Sequence, residues 1–113
     1  MNNQLYKVLI APPARQAIRR TKAYIRKESG RARASIFAES LVNYCNRELE
    51  RFPYKFEAYQ YDNELRITNH QGTTIIYEVD EEHKEVQVLY FFGRGMDYDA
   101  ILNNEKNIEY TAN

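Results

Sequence analysis

The sequence is poor in the residues that hold together small secreted or metal-dependent domains. Its 113 residues contain one cysteine, no tryptophan, three prolines and four glycines. The single thiol of Cys45 excludes an internal disulfide and, without other thiols, a structural zinc site. Because Cys45 lies among apolar residues of a predicted helix, we interpret it as a small buried thiol and not as a reactive one.

Long hydrophobic runs are also missing. The longest cover about four residues, Val8 to Ala11 and Leu89 to Phe92, whereas a membrane-spanning helix needs roughly 20 apolar residues. The N-terminus has one lysine and a very short apolar stretch, unlike a secretory signal. We therefore expect one cytoplasmic domain over residues 1–113, with an ordered core at about 5–103, a tail at 104–113 and no membrane partner.

Net charge is absent from the whole chain but not from its halves. The 16 Lys and Arg residues balance the 16 Asp and Glu residues. Residues 1–55 hold 12 basic and 4 acidic residues and carry +8, while residues 56–113 hold 4 basic and 12 acidic residues and carry −8. The zero sum argues against a non-specific nucleic-acid-binding protein. The asymmetry indicates a charged partner surface, provided that the fold keeps the two signs apart.

The N-terminal half predicts one strand and two helices. Residues 4–10 are rich in β-branched, aromatic and leucine residues, which predicts a strand that ends at Pro12 and Pro13. A helix is predicted from Pro13 or Ala14 to about Glu28, and a second one from Arg31 to Phe52. The predicted inward faces are Ala14, Ala17, Ile18, Thr21, Tyr24 and Ile25 on the first helix, and Phe37, Leu41, Tyr44, Cys45, Leu49 and Phe52 on the second. The short join at Ser29 and Gly30 predicts an antiparallel hairpin.

The C-terminal half changes to the period of two that is typical of strands. Candidate strands are 58–61, 64–68, 73–79 and 85–92, and the short polar turns between them predict antiparallel hairpins. A short helix is predicted over 96–104, with Met96, Tyr98 and Ile101 or Leu102 facing inward. The order predicts an α+β fold: an N-terminal strand, an antiparallel helical hairpin packed on a three- to four-stranded antiparallel sheet, and a short C-terminal helix.

Signatures of nucleotide-dependent enzymes and metallohydrolases are missing, since there is no glycine-rich phosphate loop, no HExxH and no Cys-His pair at a ligand spacing. We therefore predict no cofactor and no metal site. Acidic residues crowd one predicted turn, at Glu78, Asp80, Glu81, Glu82 and Glu85. A turn spreads carboxylates outward, which favours a solvated edge over a divalent-cation site. His70 and His83 fall in turns at opposite ends of one strand, and we interpret each as a solvated turn residue.

The basic residues allow two interpretations. Arg15, Arg19 and Arg26 recur at roughly helical steps on the first helix, as expected of a solvated face or of a surface for an acidic partner. Arg66 in a strand and Arg94 between two glycines stand alone. Each of these two guanidinium groups either pairs with an acidic neighbour such as Glu64 or Asp97, or binds a phosphate group.

Several segments resemble the ParE/RelE superfamily of bacterial toxins from type II toxin-antitoxin modules. The opening YKVLIAPPARQAIRRTKAYI is similar to the family's first strand and the helix that follows it. Leu65-Arg66-Ile67 resembles its arginine-bearing strand, residues 74–80 its I-x-Y-x-V-D strand, and residues 86–94 its last strand with the Gly-Arg that follows. The resemblance covers about residues 5–103.

The resemblance implies a growth-inhibiting toxin, of the kind associated with plasmid stabilization, that a cognate antitoxin neutralises. ParE-like members are linked to poisoning of DNA gyrase, whereas RelE-like members cut messenger RNA on the ribosome with Arg, Lys, Tyr or His side chains on the sheet face. Arg66 and Arg94 match the family's recurring arginines. Phe92 and Gly95 stand where the common ending has His and a second Arg. The incomplete set and the acidic sheet half favour the ParE-like activity, or an inactive member of the family, over the ribosome-dependent nuclease.

Three functions stay open at this stage. The favoured one is a ParE-like toxin that binds a protein target such as DNA gyrase, with Arg15, Arg19, Arg26 and Arg94 binding partners. The second is a ribosome-dependent mRNA endonuclease, in which Arg66 and Arg94 hold the phosphate and Tyr98 or His70 moves the proton. The third is a non-toxic binding module that keeps the fold. We expect no direct sequence-specific DNA binding in any of them.

Overall fold

Two prolines and one glycine set the boundaries of the first three elements. In the computed structural model, which describes residues 5–103, strand β1 (Lys7–Ile10) ends before Pro12, and helix α1 (Pro12–Ser29) carries proline in its first turn, where no backbone N–H is needed. Gly30, at φ 98°, joins α1 to α2 (Arg31–Leu49). The remaining elements are β2 (Ala58–Tyr59), β3 (Asp62–His70), β4 (Thr73–Asp80), β5 (Glu85–Phe92) and a short helix, α3, at 98–103.

The five strands form one sheet in the order β1-β5-β4-β3-β2. Strands β2 to β5 pair antiparallel, as predicted. β1 is a member of the same sheet and pairs parallel with β5, with Lys7 opposite Glu85 and Ile10 opposite Val88. The predicted α+β fold is therefore confirmed, with five strands and one parallel pair where three to four antiparallel strands were expected.

Both faces of the sheet are covered by other elements, and successive side chains of β4 point to opposite faces. The face that carries Ile75 and Tyr77 of β4 packs against the helical hairpin. The face that carries Ile76 packs against α3. The fully buried members of the first core are Ala14, Leu41, Cys45, Leu49, Ile75, Tyr77, Val86 and Val88. The buried members of the second core are Tyr59, Ile76, Phe92 and Leu102. Burial raises the pKa of the Cys45 thiol to about 12, as expected of the predicted inert thiol.

Three predicted inward positions are wrong, each for a local reason. α2 ends at Leu49, short of Pro53, and Phe52 is left 66% exposed in the following turn. Proline disfavours helical geometry in the residue before it, so Phe52 cannot continue the helical face. Tyr24 is 67% exposed because contacts with the core reach only as far as Ile18 on α1. Met96 precedes α3 and is exposed, while Tyr98, Ile101 and Leu102 pack inward as predicted.

The predicted tail at 104–113 and the predicted start of β1 at Gln4 lie outside the described residues. Within residues 5–103, no helix combines the length and the apolar character that crossing a membrane requires.

A buried hydrogen bond joins the loop between α2 and β2 to the sheet. The hydroxyl of Tyr77, a fully buried residue of β4, donates a hydrogen bond to the backbone oxygen of Pro53 over 2.6 Å. Burial raises the pKa of this hydroxyl, so it stays protonated and remains a donor. The bond joins the central strand to a loop that has little regular structure of its own.

We predict that Tyr77→Phe lowers the free energy of unfolding by about 1–2 kcal/mol, because it leaves the Pro53 carbonyl without its buried donor. Urea unfolding followed by circular dichroism measures the change. Tyr24→Phe is the matched control, since it removes the hydroxyl of an exposed tyrosine. Equal stabilities for the two variants would contradict a stabilising role for the buried hydrogen bond.

Candidate functional site

Arg66 lies on the hairpin-facing side of the sheet and is engaged with the α2–β2 loop. It sits opposite Tyr77 in the β3–β4 pairing. Its Nη1 donates to the backbone oxygens of Phe56 over 2.6 Å and Tyr54 over 3.3 Å, and its guanidinium carbon lies 4.9 Å from the centre of the Tyr54 ring. Backbone carbonyls and an aromatic ring are therefore the partners of this cation, and not Glu64 or Asp97, the acidic residues considered as one of its two alternatives.

His70 is the last residue of β3 and is held against α2. Its Nε2 lies 2.9 Å from the hydroxyl of Ser40, and its ring stacks on that of Tyr44 with centroids 4.4 Å apart. The Tyr44 hydroxyl in turn lies 3.0 Å from the hydroxyl of Thr68. The interpretation of His70 as a solvated turn residue is wrong, because the alternation of β3 directs its side chain towards the hairpin. His83 is exposed in its turn, as predicted, and pairs with Asp80.

Tyr98 lies on the opposite side of the sheet. It starts α3, and its ring is 6.0 Å from that of Phe92 and 6.4 Å from that of Tyr59. The next residue, Asp99, accepts a hydrogen bond from the Tyr59 hydroxyl, which fastens α3 to this face. The sheet thus separates Tyr98 from Arg66 and His70, two of the other three residues of the catalytic set considered for a nuclease.

Arg94 covers the tight turn that joins β3 to β4. That turn consists of Gln71 and Gly72, both at positive φ, 51° and 90°. A side chain at Gly72 would place its Cβ 2.6 Å from Nη2 of Arg94, so only glycine allows the guanidinium to lie there. Within residues 5–103, Arg94 forms neither a hydrogen bond nor an ion pair, so the pair with Asp97 that was one of its two alternatives is not formed. The Arg94 side chain is exposed to solvent and is therefore available to bind an anionic group.

A cleft of about 180 Å³ opens beneath the Arg94 side chain, between the hairpin and the β3–β4 turn. Its walls are largely apolar and come from α1, α2, β4, β5 and the β3–β4 turn. The large side chains are Ile18, Phe37, Leu41 and Phe91, and Thr21 and Thr73 contribute hydroxyl groups. We call this feature the Arg94 cleft. It combines an apolar interior with one cation at its mouth.

The other basic residues that the sequence singled out lie on a different side of α1. Arg15, Arg19, Lys22 and Arg26 follow one another at helical steps over about 16 Å and are all exposed. Arg19, Lys22 and Arg26 line a groove of about 390 Å³ together with Arg31, and Ala23, Ala34 and Ser35 form the rest of its lining. We call Arg19, Lys22, Arg26 and Arg31 the basic groove. None of the four is ion-paired with another described residue.

The acidic turn between β4 and β5 is occupied by internal contacts. Asp80 pairs with His83 over 2.8 Å, and Glu81 accepts hydrogen bonds from the hydroxyls of Tyr6 and Tyr54 and from Lys84. These donors lower the pKa of Glu81 to about 2. In the described part of the chain, no cluster of three or more His, Cys, Asp or Glu residues is arranged to hold a metal ion. Sequence reasoning missed the two tyrosines, because Tyr6 and Tyr54 are distant from Glu81 along the chain.

We predict that Glu81 stabilises the fold above about pH 4.5 and progressively less as the pH falls towards 2. Its pKa is lowered in the folded state, so the unfolded state binds the proton first over this range and stability rises with pH. Urea unfolding of the wild type and Glu81→Gln between pH 2 and 7 measures the difference. The two stabilities should converge at the acid end. Glu82→Gln, in the same turn, serves as the control and should keep the pH dependence of the wild type. If the stability of Glu82→Gln instead followed that of Glu81→Gln over this pH range, the role of Glu81 would be contradicted.

Comparison with known proteins identifies the family of this chain. A family model described as the ParE toxin of the type II toxin-antitoxin system parDE matches residues 8–98, which is most of the chain. The chain belongs to the ParE toxin family. No curated protein sequence is a significant match.

Two solved structures share the fold of this ParE-family chain. A chain of the chromosomal ParDE toxin-antitoxin system from P. aeruginosa matches with a TM-score of 0.68 and 12% identity, over 79% of this chain and 96% of that one. A chain of the toxin-antitoxin complex RelBE2 from Mycobacterium tuberculosis matches with a TM-score of 0.63 and 16% identity, over 84% of this chain and 98% of that one. Both belong to toxin-antitoxin systems.

Proposed function

We propose that this ParE-family chain is a growth-inhibiting toxin that acts by binding a protein target such as DNA gyrase, and that a cognate antitoxin neutralises it. The observation that carries the proposal is the division of the candidate catalytic set by the sheet. Cleavage of RNA by attack of a 2′-hydroxyl needs one group to take a proton and another to give one at the same phosphate. Tyr98 lies on one face, whereas His70 and Arg66 lie on the other in contact with the protein itself.

The basic groove supports an acidic partner segment. Its four cations are not ion-paired within residues 5–103, and small residues between them, Ala23 and Ala34, leave room for another chain to approach. Exposed charges of this kind raise the association rate with an oppositely charged partner, and salt weakens the effect. An acidic segment of the antitoxin fits this surface. The two solved structures compared above come from toxin-antitoxin systems.

We predict that producing this chain alone in bacteria arrests growth, and that co-production of the small protein encoded by the adjacent reading frame restores it. Purified toxin should inhibit supercoiling by DNA gyrase, and the induced cells should show no translation-dependent cleavage of messenger RNA. Unimpaired growth would favour a non-toxic binding module. Cleavage of messenger RNA would favour the RelE-like activity instead.

We also predict that the double variant Arg19→Glu/Arg26→Glu associates with that antitoxin about tenfold more slowly at 50 mM salt, because two attractive charges become repulsive. Stopped-flow or biosensor kinetics measure the rate, and the difference from wild type should shrink at 500 mM salt. Arg51→Glu, at an exposed position in the turn after α2, is the control for a charge change elsewhere. An unchanged association rate in the double variant would exclude the basic groove from the interface.

A further inference from the structure

We infer that the Arg94 cleft is an anchor site for a peptide segment that carries one bulky apolar side chain beside a carboxylate. This rests on the proposed function only in naming the antitoxin as the source of the segment. The inference combines three properties of the cleft: its size, its apolar walls and its single cation.

The size of the cleft suits one side chain. An engineered cavity of about 150 Å³ lined by Leu, Ile and Phe binds benzene. The Arg94 cleft measures about 180 Å³ and has Ile18, Phe37, Leu41 and Phe91 in its walls. A leucine, isoleucine or phenylalanine side chain therefore fits it, while a folded helix or a nucleotide does not. Burial of such a side chain removes its apolar area from water, which stabilises the complex.

The Arg94 guanidinium indicates that the bound segment carries a carboxylate beside its apolar side chain. Arg94 is exposed at the mouth of the cleft and has no ion-pair partner in the described part of the chain. A guanidinium offers paired N–H donors that match both oxygens of a carboxylate. The bare backbone of Gly72 lets the guanidinium lie over the turn, so the cation is held next to the apolar opening.

The combination favours an acidic peptide over a phosphate. An inorganic or nucleic-acid phosphate would pair with Arg94 but would leave the apolar walls exposed to water. A peptide places an apolar and an acidic side chain on one side of an extended strand at positions i and i+2, or on one face of a helix at i and i+3 or i+4. A C-terminal carboxylate next to an apolar residue presents the same two groups.

The Arg94 cleft and the basic groove are separate surfaces. Ala17, Ile18 and Thr21 of α1 line the cleft, whereas Arg19, Lys22 and Arg26 line the groove. The groove offers cations without an apolar interior, and the cleft offers one cation with an apolar interior. A partner therefore gains association rate at the groove and a slow dissociation rate at the cleft, since buried anchors govern dissociation.

The first test uses small probes, so that it depends neither on growth nor on the antitoxin. The isotope-labelled full chain is titrated with 4-phenylbutyrate, with the neutral 4-phenylbutyramide and with inorganic phosphate, while amide signals are followed by NMR. We expect saturable shifts at Gly72, Phe91 and Gly93 with phenylbutyrate, and at least fivefold weaker binding of the amide and of phosphate. Equal binding of phenylbutyrate and its amide, or of phenylbutyrate and phosphate, would overturn the proposed combination.

Two variants then remove the two halves of the site independently. Arg94→Gln removes the charge of an exposed side chain, and Thr21→Leu fills the cleft from α1. Each should weaken phenylbutyrate at least fivefold, while Arg20→Gln, an exposed α1 arginine absent from the cleft lining, should leave it unchanged. Thermal unfolding checks that the variants are folded, and the charge variant keeps the test valid if Thr21→Leu is unstable.

Dissociation kinetics with the antitoxin then test whether the antitoxin occupies the cleft. Arg94→Gln and Thr21→Leu should each speed dissociation of the antitoxin encoded by the adjacent reading frame by about tenfold, with little change in the association rate. Unchanged dissociation in both folded variants would overturn the antitoxin as the occupant. Because growth arrest by the unmodified chain is measured separately, loss of the cleft proposal leaves the proposed toxin function intact, and absence of toxicity leaves the probe result intact.

Discussion

The packing of β4 on both of its faces is the constraint on which the remaining structure depends. Ile75 and Tyr77 belong to the core under the hairpin, and Ile76 between them belongs to the core under α3. A shift of one residue in the register of this strand would exchange the two sets of side chains. The turn at Gln71 and Gly72 fixes that register, since both residues adopt the positive φ angles of a tight hairpin. The Arg94 guanidinium lies over this turn, so the geometry of the cleft follows from the geometry of the β3–β4 hairpin.

Much of the fold could be predicted from sequence because its signals are local. Prolines, Gly30 and the change of hydrophobic period set the helices and the three longest strands close to where they lie. The parallel pairing of β1 with β5 could not be predicted in this way, since the two strands come from opposite ends of the domain and nothing in KVLI specifies its neighbour. Phe52 and Tyr24 show the complementary limit: helical spacing indicates a face, but not where the helix or the core beneath it ends.

The candidate site was less accessible to sequence reasoning than the fold. The sequence could identify Arg66, His70, Arg94 and Tyr98 as unusual residues, but it could not assign them to faces of the sheet. Arg66 and His70 have the same strand parity, and the structure places both towards the hairpin. The opposite charges of the two halves did predict a feature of the surface. The hairpin layer carries the basic groove, while Asp80 and Glu81 of the β4–β5 turn are engaged by His83, Lys84 and two tyrosines.

The place of β1 at the edge of the sheet also determines the order in which this protein matures. β1 is the first strand made by the ribosome, and its partner β5 is the last. α1 and α2 can form helices early, yet Val8 and Ile10 have no sheet to join until residues 85–88 have left the ribosomal tunnel. The core under the hairpin therefore closes only when synthesis of the domain is almost complete.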